Sequence, residues 1–234
     1  MFPYYYGFYF HPSYILVIIA SIIVLLAQLK VKSAYAKYSR VANKAQMTGA
    51  EVARNIILKY GLDVRVEKTS GQLTDHYDPK AQVVRLSKDI YDGTTIAALA
   101  VAAHECGHAL QHQENYGFLK LRAGLLPLAN IGSYLGWFAV FIGLMASNTP
   151  LAMIGLLLLS LMLAFQVVTL PVEFNASSRA LHILVGDGFL DSNETDMAKK
   201  MLTAAALTYV AAVASTILNL LRVLLMILGN SNRD

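Results

Sequence analysis

Four stretches almost free of charged residues dictate what this chain can become. Residues 14–29 are apolar apart from Ser21 and Gln28, residues 125–147 and 151–170 carry no charge, and the run 202–221 continues past Arg222 to Leu228. Each approaches the roughly 20 residues that a helix needs to cross the hydrocarbon core of a bilayer, where backbone polar groups must be bonded within their own segment. Of the 234 residues 56% are hydrophobic and 15% charged, and the apolar ones are gathered in runs instead of being spaced at the period of a core-facing helix. The expected fold is therefore mainly α: a polytopic helical membrane protein with about four spans and a small cytoplasmic α+β portion. The last run is ambiguous, because Arg222 can end a span, snorkel to an interface or divide the segment into a span and a surface helix.

Flanking charge gives an orientation. No Lys or Arg precedes the first run, whereas Lys30, Lys32, Lys37, Arg40 and Lys44 follow it. Although Ala34-Tyr35-Ala36 resembles a leader cleavage site, this asymmetry fits an uncleaved anchor with its N-terminus outside, and the aromatic cluster Tyr4, Tyr5, Tyr6, Phe8, Tyr9 and Phe10 fits the outer interfacial belt. The chain then divides into 1–29 (aromatic segment and first span), 30–122 (cytoplasmic α+β portion), 123–171 (transmembrane hairpin), 172–201 (cytoplasmic helix) and 202–234 (transmembrane or interfacial helix). The net charge of +4 reads as a bias toward the membrane surface, with the lipid bilayer as partner and no nucleic-acid module. Localisation in the cell membrane follows, as a multi-pass protein.

Within the cytoplasmic portion, residues 104–108 read His-Glu-Cys-Gly-His. On a helix, positions i and i+4 differ by about 40° and about 6 Å of rise, so His104 and His108 can bind one Zn²⁺ from the same side, with Glu105 placed as general base toward water. Thr94 or Thr95 can cap such a helix, and the run from Ile96 to His104 contains neither Gly nor Pro. Two histidines merely satisfied by hydrogen bonds would not require Glu105. The lone Cys106 lies about 200° from His104 and reads as a packed small hydrophobe.

Zinc requires a third protein ligand. His112 would lie about 12 Å along the axis from His104, which is too far. Glu114 falls where the pattern H-E-x-x-H-x-x-G-x-x-H has its third ligand, but Gln111 stands in place of that pattern's glycine. Glu173 is separated from His108 by two spans, and an even number of crossings returns the chain to the same face. The sequence around Pro171 predicts a helix opening there, with Glu173 in its first turn; the bland alternative is a carboxylate favouring a helix N-terminus.

His104-Glu105-Cys106-Gly107-His108-Ala109-Leu110-Gln111-His112 and Leu170-Pro171-Val172-Glu173-Phe174-Asn175-Ala176-Ser177 together resemble the bacterial YugP-type membrane zinc metallopeptidases, over nearly the whole chain. More distantly the chain is similar to the gluzincin-type HtpX and Ste24 membrane proteases, whose second motif is Glu-x-x-Ala-Asp. Glu173 and Ala176 match it, and Ser177 stands where the Asp would be. The resemblance implies membrane-associated proteolysis of peptide or membrane-protein substrates with one Zn²⁺ per chain, and Ser177 as an acceptor behind a ligating histidine.

Thr48 to Glu51 has the form of a capping box for a helix ending at Gly61. Strands are expected over 62–67 and 82–86, joined through Asp78-Pro79-Lys80. Gln82, Val83, Val84, Arg85, Leu86 and Ser87 are a candidate substrate edge, or else an ordinary edge strand. Arg179, His182, His76 and Tyr209 are available to neutralise charge on a carbonyl oxygen, Arg179 being the first choice and salt bridging its alternative. Asp191 to Glu194 reads as the capped start of the final helix. Membrane-protein quality control is the expected role. Two alternatives stay open: an intramembrane, site-2-type protease using Asp187-Gly188, and a zinc-stabilised scaffold that binds a membrane chaperone or scaffold partner without catalysis.

Overall fold

The computed structural model describes residues 13–231, so the aromatic cluster at residues 4–10 lies outside the described residues. The elements follow in the order α1 (Tyr14–Tyr38), α2 (Gly49–Lys59), β1 (Arg65–Thr69), β2 (His76–Asp78), β3 (Val83–Ser87), α3 (Lys88–Tyr91), α4 (Ile96–Gln113), α5 (Gly117–Met145), α6 (Thr149–Gly186) and α7 (Ser192–Ser231). Helices α1, α5, α6 and α7 are long and apolar enough to cross a membrane. They leave large apolar side chains such as Ile18, Leu26, Phe138, Phe141 and Leu157 exposed. Against lipid tails that surface has its matching solvent. The chain is a mainly α polytopic membrane protein with a small sheet.

Helices α5 and α6 form a hairpin, and Asn148 caps α6 by accepting a hydrogen bond from Leu151 N at 3.0 Å. A Cβ on Gly155 would fall 2.6 Å from the Val140 nitrogen and 2.7 Å from the Gly136 carbonyl oxygen. Glycine there permits the backbone approach by which membrane helices gain packing energy.

The long helices do not stop at the membrane. At 1.5 Å per residue α7, with 40 residues, is about 60 Å long, twice the hydrocarbon thickness of about 30 Å. Helix α6 runs unbroken through Pro171, so the helix expected to open at that proline is instead the continuation of the third span. A proline inside a helix removes one hydrogen bond and crowds the preceding turn, at about 3 kcal/mol. Burial of the apolar Val172 and Ala176 on one face helps offset this. The boundaries at 171/172 and 201/202 accordingly fall inside single helices.

In the α+β portion, the Thr48–Glu51 capping box opens α2, with Glu51 N on Thr48 Oγ1 at 3.2 Å and Thr48 N on Glu51 Oε2 at 2.8 Å. Gly61 ends it at φ +61°. The sheet has the order β1-β3-β2, with β1 parallel and β2 antiparallel to β3. This corrects the reading of Gln82 to Ser87 as an edge: β3 is the central strand, paired with β1 over Val83–Ser87 and with β2 over Val83–Arg85, and the Gln82 carbonyl accepts from Arg65 N at 3.0 Å. Over Val83–Arg85 both sides of the strand are taken, and no substrate backbone can pair there. The three-residue β2, absent from the sequence-based expectation, takes one edge. Ile56, Leu86, Ile90, Leu99 and Leu184 join α2, the sheet, α4 and the end of α6 in one core.

Candidate active site

Thr95, by accepting from Ala98 N at 3.2 Å, fixes the start of α4, and about two turns later His104 and His108 project from the same face. Their ring centroids are 4.7 Å apart. Gly107, between them, lets α4 touch α6 directly, since a Cβ there would meet the Ala176 carbonyl oxygen at 2.7 Å. That contact brings Glu173 to the histidines. Its Oε2 lies 3.5 Å from His104 Nε2 and 3.6 Å from His108 Nε2.

The other ring nitrogens are held from behind. Gln111 donates its amide N–H groups to the Val172 carbonyl at 2.8 Å and Asn175 Oδ1 at 2.9 Å. Its oxygen is thereby left to accept from His108 Nδ1 at 3.0 Å, which assigns the proton to Nδ1 and a lone pair to Nε2. Ser177 Oγ stands 3.2 Å from His104 Nδ1. Burial alone would pull the His108 imidazole down, but the Glu173 carboxylate it meets, together with the charge of Glu105, outweighs this and holds it above its usual value.

The three facing atoms lie within 4.8 Å of one another. Tetrahedral ligands bonded at about 2.0–2.1 Å are about 3.3 Å apart, so two imidazole nitrogens and a carboxylate oxygen at this spacing fit Zn²⁺ after small adjustment. Glu105, 8% exposed, joins His104, Glu173 and Ser177 in the wall of a cavity of about 170 Å³. Leu73 and Asp75 close one side, and α7 closes the other with Met201, Leu202, Ala205, Ala206 and Tyr209. Burial pushes the Asp75 carboxyl up, against the lowering effect of hydrogen bonds from Ser87 N and Oγ.

Other candidates are engaged elsewhere. Arg179 grips Glu114 with both terminal nitrogens, at 2.8 and 2.7 Å, and donates from Nε to Asn175 Oδ1 at 2.8 Å. The arginine chosen for the oxyanion is thus a strut between α6 and the end of α4, and Glu114 is its partner and not a ligand. His182 Nδ1 faces the Ser178 carbonyl at 2.8 Å, His112 Nδ1 meets Tyr77 Oη at 2.8 Å, and His76 Nδ1 faces the Thr74 carbonyl at 2.8 Å. Cys106 is fully buried. Asp187 pairs with Lys59 at 2.5 Å, and α4 is not among the four candidate spans, so the arrangement required for an intramembrane site with Asp187 as ligand is not formed. Gln111, Asn175 and Asp75 were missed by sequence reasoning. Gln111 alone had a local signal, three residues after His108 on the same helical face.

Fold and site together define a class, a membrane protein with a His-His-Glu cluster that could hold a metal ion beside a further glutamate. The chain belongs to the family described as "putative neutral zinc metallopeptidase", whose model matches residues 13–228. It is 48% identical over 209 residues, 89% of this chain and 93% of the relative, to the protein named "Putative membrane protease YugP" of Bacillus subtilis (strain 168). No solved structure matches the chain.

Proposed function

We propose that the protein is a membrane-bound zinc metalloendopeptidase of gluzincin type that hydrolyses peptide bonds at the cytoplasmic membrane interface. The observation that carries this is the approach of a single Glu173 oxygen to Nε2 of both His104 and His108, with Glu105 buried in the same cavity. One Zn²⁺ per chain would be held by these three residues and, when bound, would supply Lewis acidity toward water and the scissile carbonyl. Glu105 takes a proton from the attacking water and delivers it to the departing amine nitrogen as the C–N bond breaks. Gln111 keeps the His108 imidazole in the tautomer that this requires, and Ser177 holds the His104 ring from behind.

Glu173 lies 24 residues beyond Thr149, about 36 Å along α6, just past a hydrocarbon core of about 30 Å if α6 begins at the opposite surface. Tails, loops and juxtamembrane segments of membrane proteins are therefore the favoured substrates, and membrane-protein quality control the role, with any chaperone or scaffold partner serving delivery. The test is cleavage of a peptide library by detergent-purified, zinc-loaded protein beside Glu105→Gln, with zinc content measured in both. Loss of at least about 10²-fold in rate at equal zinc is expected. Equal cutting by the variant would overturn the reading, and undiminished cellular function in Glu105→Gln would favour a scaffold.

A further inference from the structure

We infer that the Tyr209 hydroxyl on α7 is the hydrogen-bond donor for the carbonyl oxygen of the scissile bond, making Tyr209 a catalytic residue of the proposed peptidase. The inference rests on that reading and adds to it a group that neither zinc-binding motif contains.

Attack of water on a peptide carbonyl transfers negative charge to the carbonyl oxygen, and a site that holds donors where this charge develops lowers the barrier. The polar side chains in the wall of the cavity are Asp75, His104, Glu105, Glu173, Ser177 and Tyr209. His104 and Glu173 belong to the proposed metal cluster, and Glu105 and Asp75 are carboxyl groups whose charge would oppose that of the oxygen. Ser177 is occupied behind His104 at 3.2 Å. The cationic alternatives face elsewhere, Arg179 onto Glu114 and His182 onto the Ser178 carbonyl. Among the described residues lining the cavity, Tyr209 is what remains: a neutral O–H that lies within hydrogen-bonding reach of the Glu173 carboxylate and can turn from it to a substrate carbonyl oxygen.

Its setting suits the task. Met201, Leu202, Ala205 and Ala206 lie one to two turns before it on α7 and line the same cavity, so the hydroxyl stands among apolar side chains beside the Glu173 carboxylate. There a hydrogen bond to a developing anion is stronger than in water. Glu105 and Tyr209 divide the labour. Glu105 moves the proton from water to nitrogen, and Tyr209 keeps its own proton, donating a hydrogen bond that tightens as the carbonyl carbon becomes tetrahedral and relaxes when the amine leaves.

Tyr209→Phe removes one oxygen and keeps the ring that packs on α7. Two readouts are needed, kcat and KM on a peptide cut by the wild type, and calorimetric affinity for two ligands: a phosphinic peptide, which presents a tetrahedral anion, and the corresponding uncut product peptide. The expected result is a kcat lowered by about 10²–10³-fold with KM little changed, and weaker phosphinic-peptide binding with product affinity and zinc content unaltered. Unchanged kcat and phosphinic affinity in the variant would overturn the inference while leaving the peptidase intact. Parallel loss of zinc, product and phosphinic binding would also overturn it, by making Tyr209 structural. A zinc-loaded wild type that neither cuts peptides nor binds the phosphinic ligand would overturn the peptidase reading, and this inference with it.

Discussion

Gln111 decides how well His108 can serve a metal. Fully buried, it spends both amide hydrogens on α6 and its oxygen on the His108 ring. Gln111→Leu preserves bulk but strands the Nδ1–H and frees the ring to turn, so zinc affinity should fall about 10–100-fold in chelator competition. An unaltered affinity would mean that α4 alone orients the histidine. Acid acts on the same ring. Because Glu173 and Glu105 hold its value up, the metal-free protein gains stability from the charged imidazole at pH below the ordinary histidine value and loses it as pH rises through the raised one. Zinc reverses the sign, since it needs the neutral ring. Apparent zinc affinity should be full above the raised value and decline with acid by about tenfold per pH unit for each proton displaced. Chelator competition between about pH 8 and pH 5 checks this, and a flat profile would count against His108 as a ligand.

Gly107 shows how an element contact makes the site. With the Ala176 carbonyl 2.7 Å from any Cβ at this position, Gly107→Ala must push α4 and α6 apart and carry Glu173 off the histidines. Overpacking of this kind costs about 1–3 kcal/mol, so a lowered thermal midpoint and loss of zinc are expected together. Gly124→Ala on α5, where a Cβ would meet nothing within 4 Å, is the control that should change neither. What the sequence made legible follows from range. The α2 capping box, the Thr95 cap, the αL turn at Gly61 and the Asp191–Glu194 cap, with Glu194 N on Asp191 Oδ1 at 2.9 Å, are satisfied within a few residues and can be read locally. The unbroken passage of α6 through Pro171, the central position of β3 and the pairing of Arg179 with Glu114 across 65 residues are settled by tertiary contact. No local pattern records them. The His-Glu-Cys-Gly-His helix is legible because one turn of helix fixes its geometry, whereas Gln111 and Asn175 acquire their roles only when α4 meets α6.

Of the four candidate membrane helices among the described residues, α6 and α7 are prolonged well into the α+β head. Helices α6 and α7 reach past the bilayer and present Glu173 and Tyr209 to α4, while α1 leads from the membrane into the head, where Tyr38 is buried in the core. On this architecture the side of the membrane that holds the head is the side that holds the site. Lys30, Lys32, Lys37, Arg40 and Lys44 cluster where α1 enters the head, the distribution that retains a segment in the cytoplasm. The single cysteine allows a direct test. Cys106 is fully buried, and burial pushes its thiol up, so it should stay silent toward a membrane-impermeant maleimide while introduced cysteines report. Ala146→Cys, exposed in the turn of the α5–α6 hairpin, should be labelled on intact cells, and Ser70→Cys, exposed beside the sheet, only after permeabilisation. The opposite pattern would place the histidines outside the cell. The positive flank of α1 would then have been overruled by the later helices, and the substrates would have to be sought among extracytoplasmic segments.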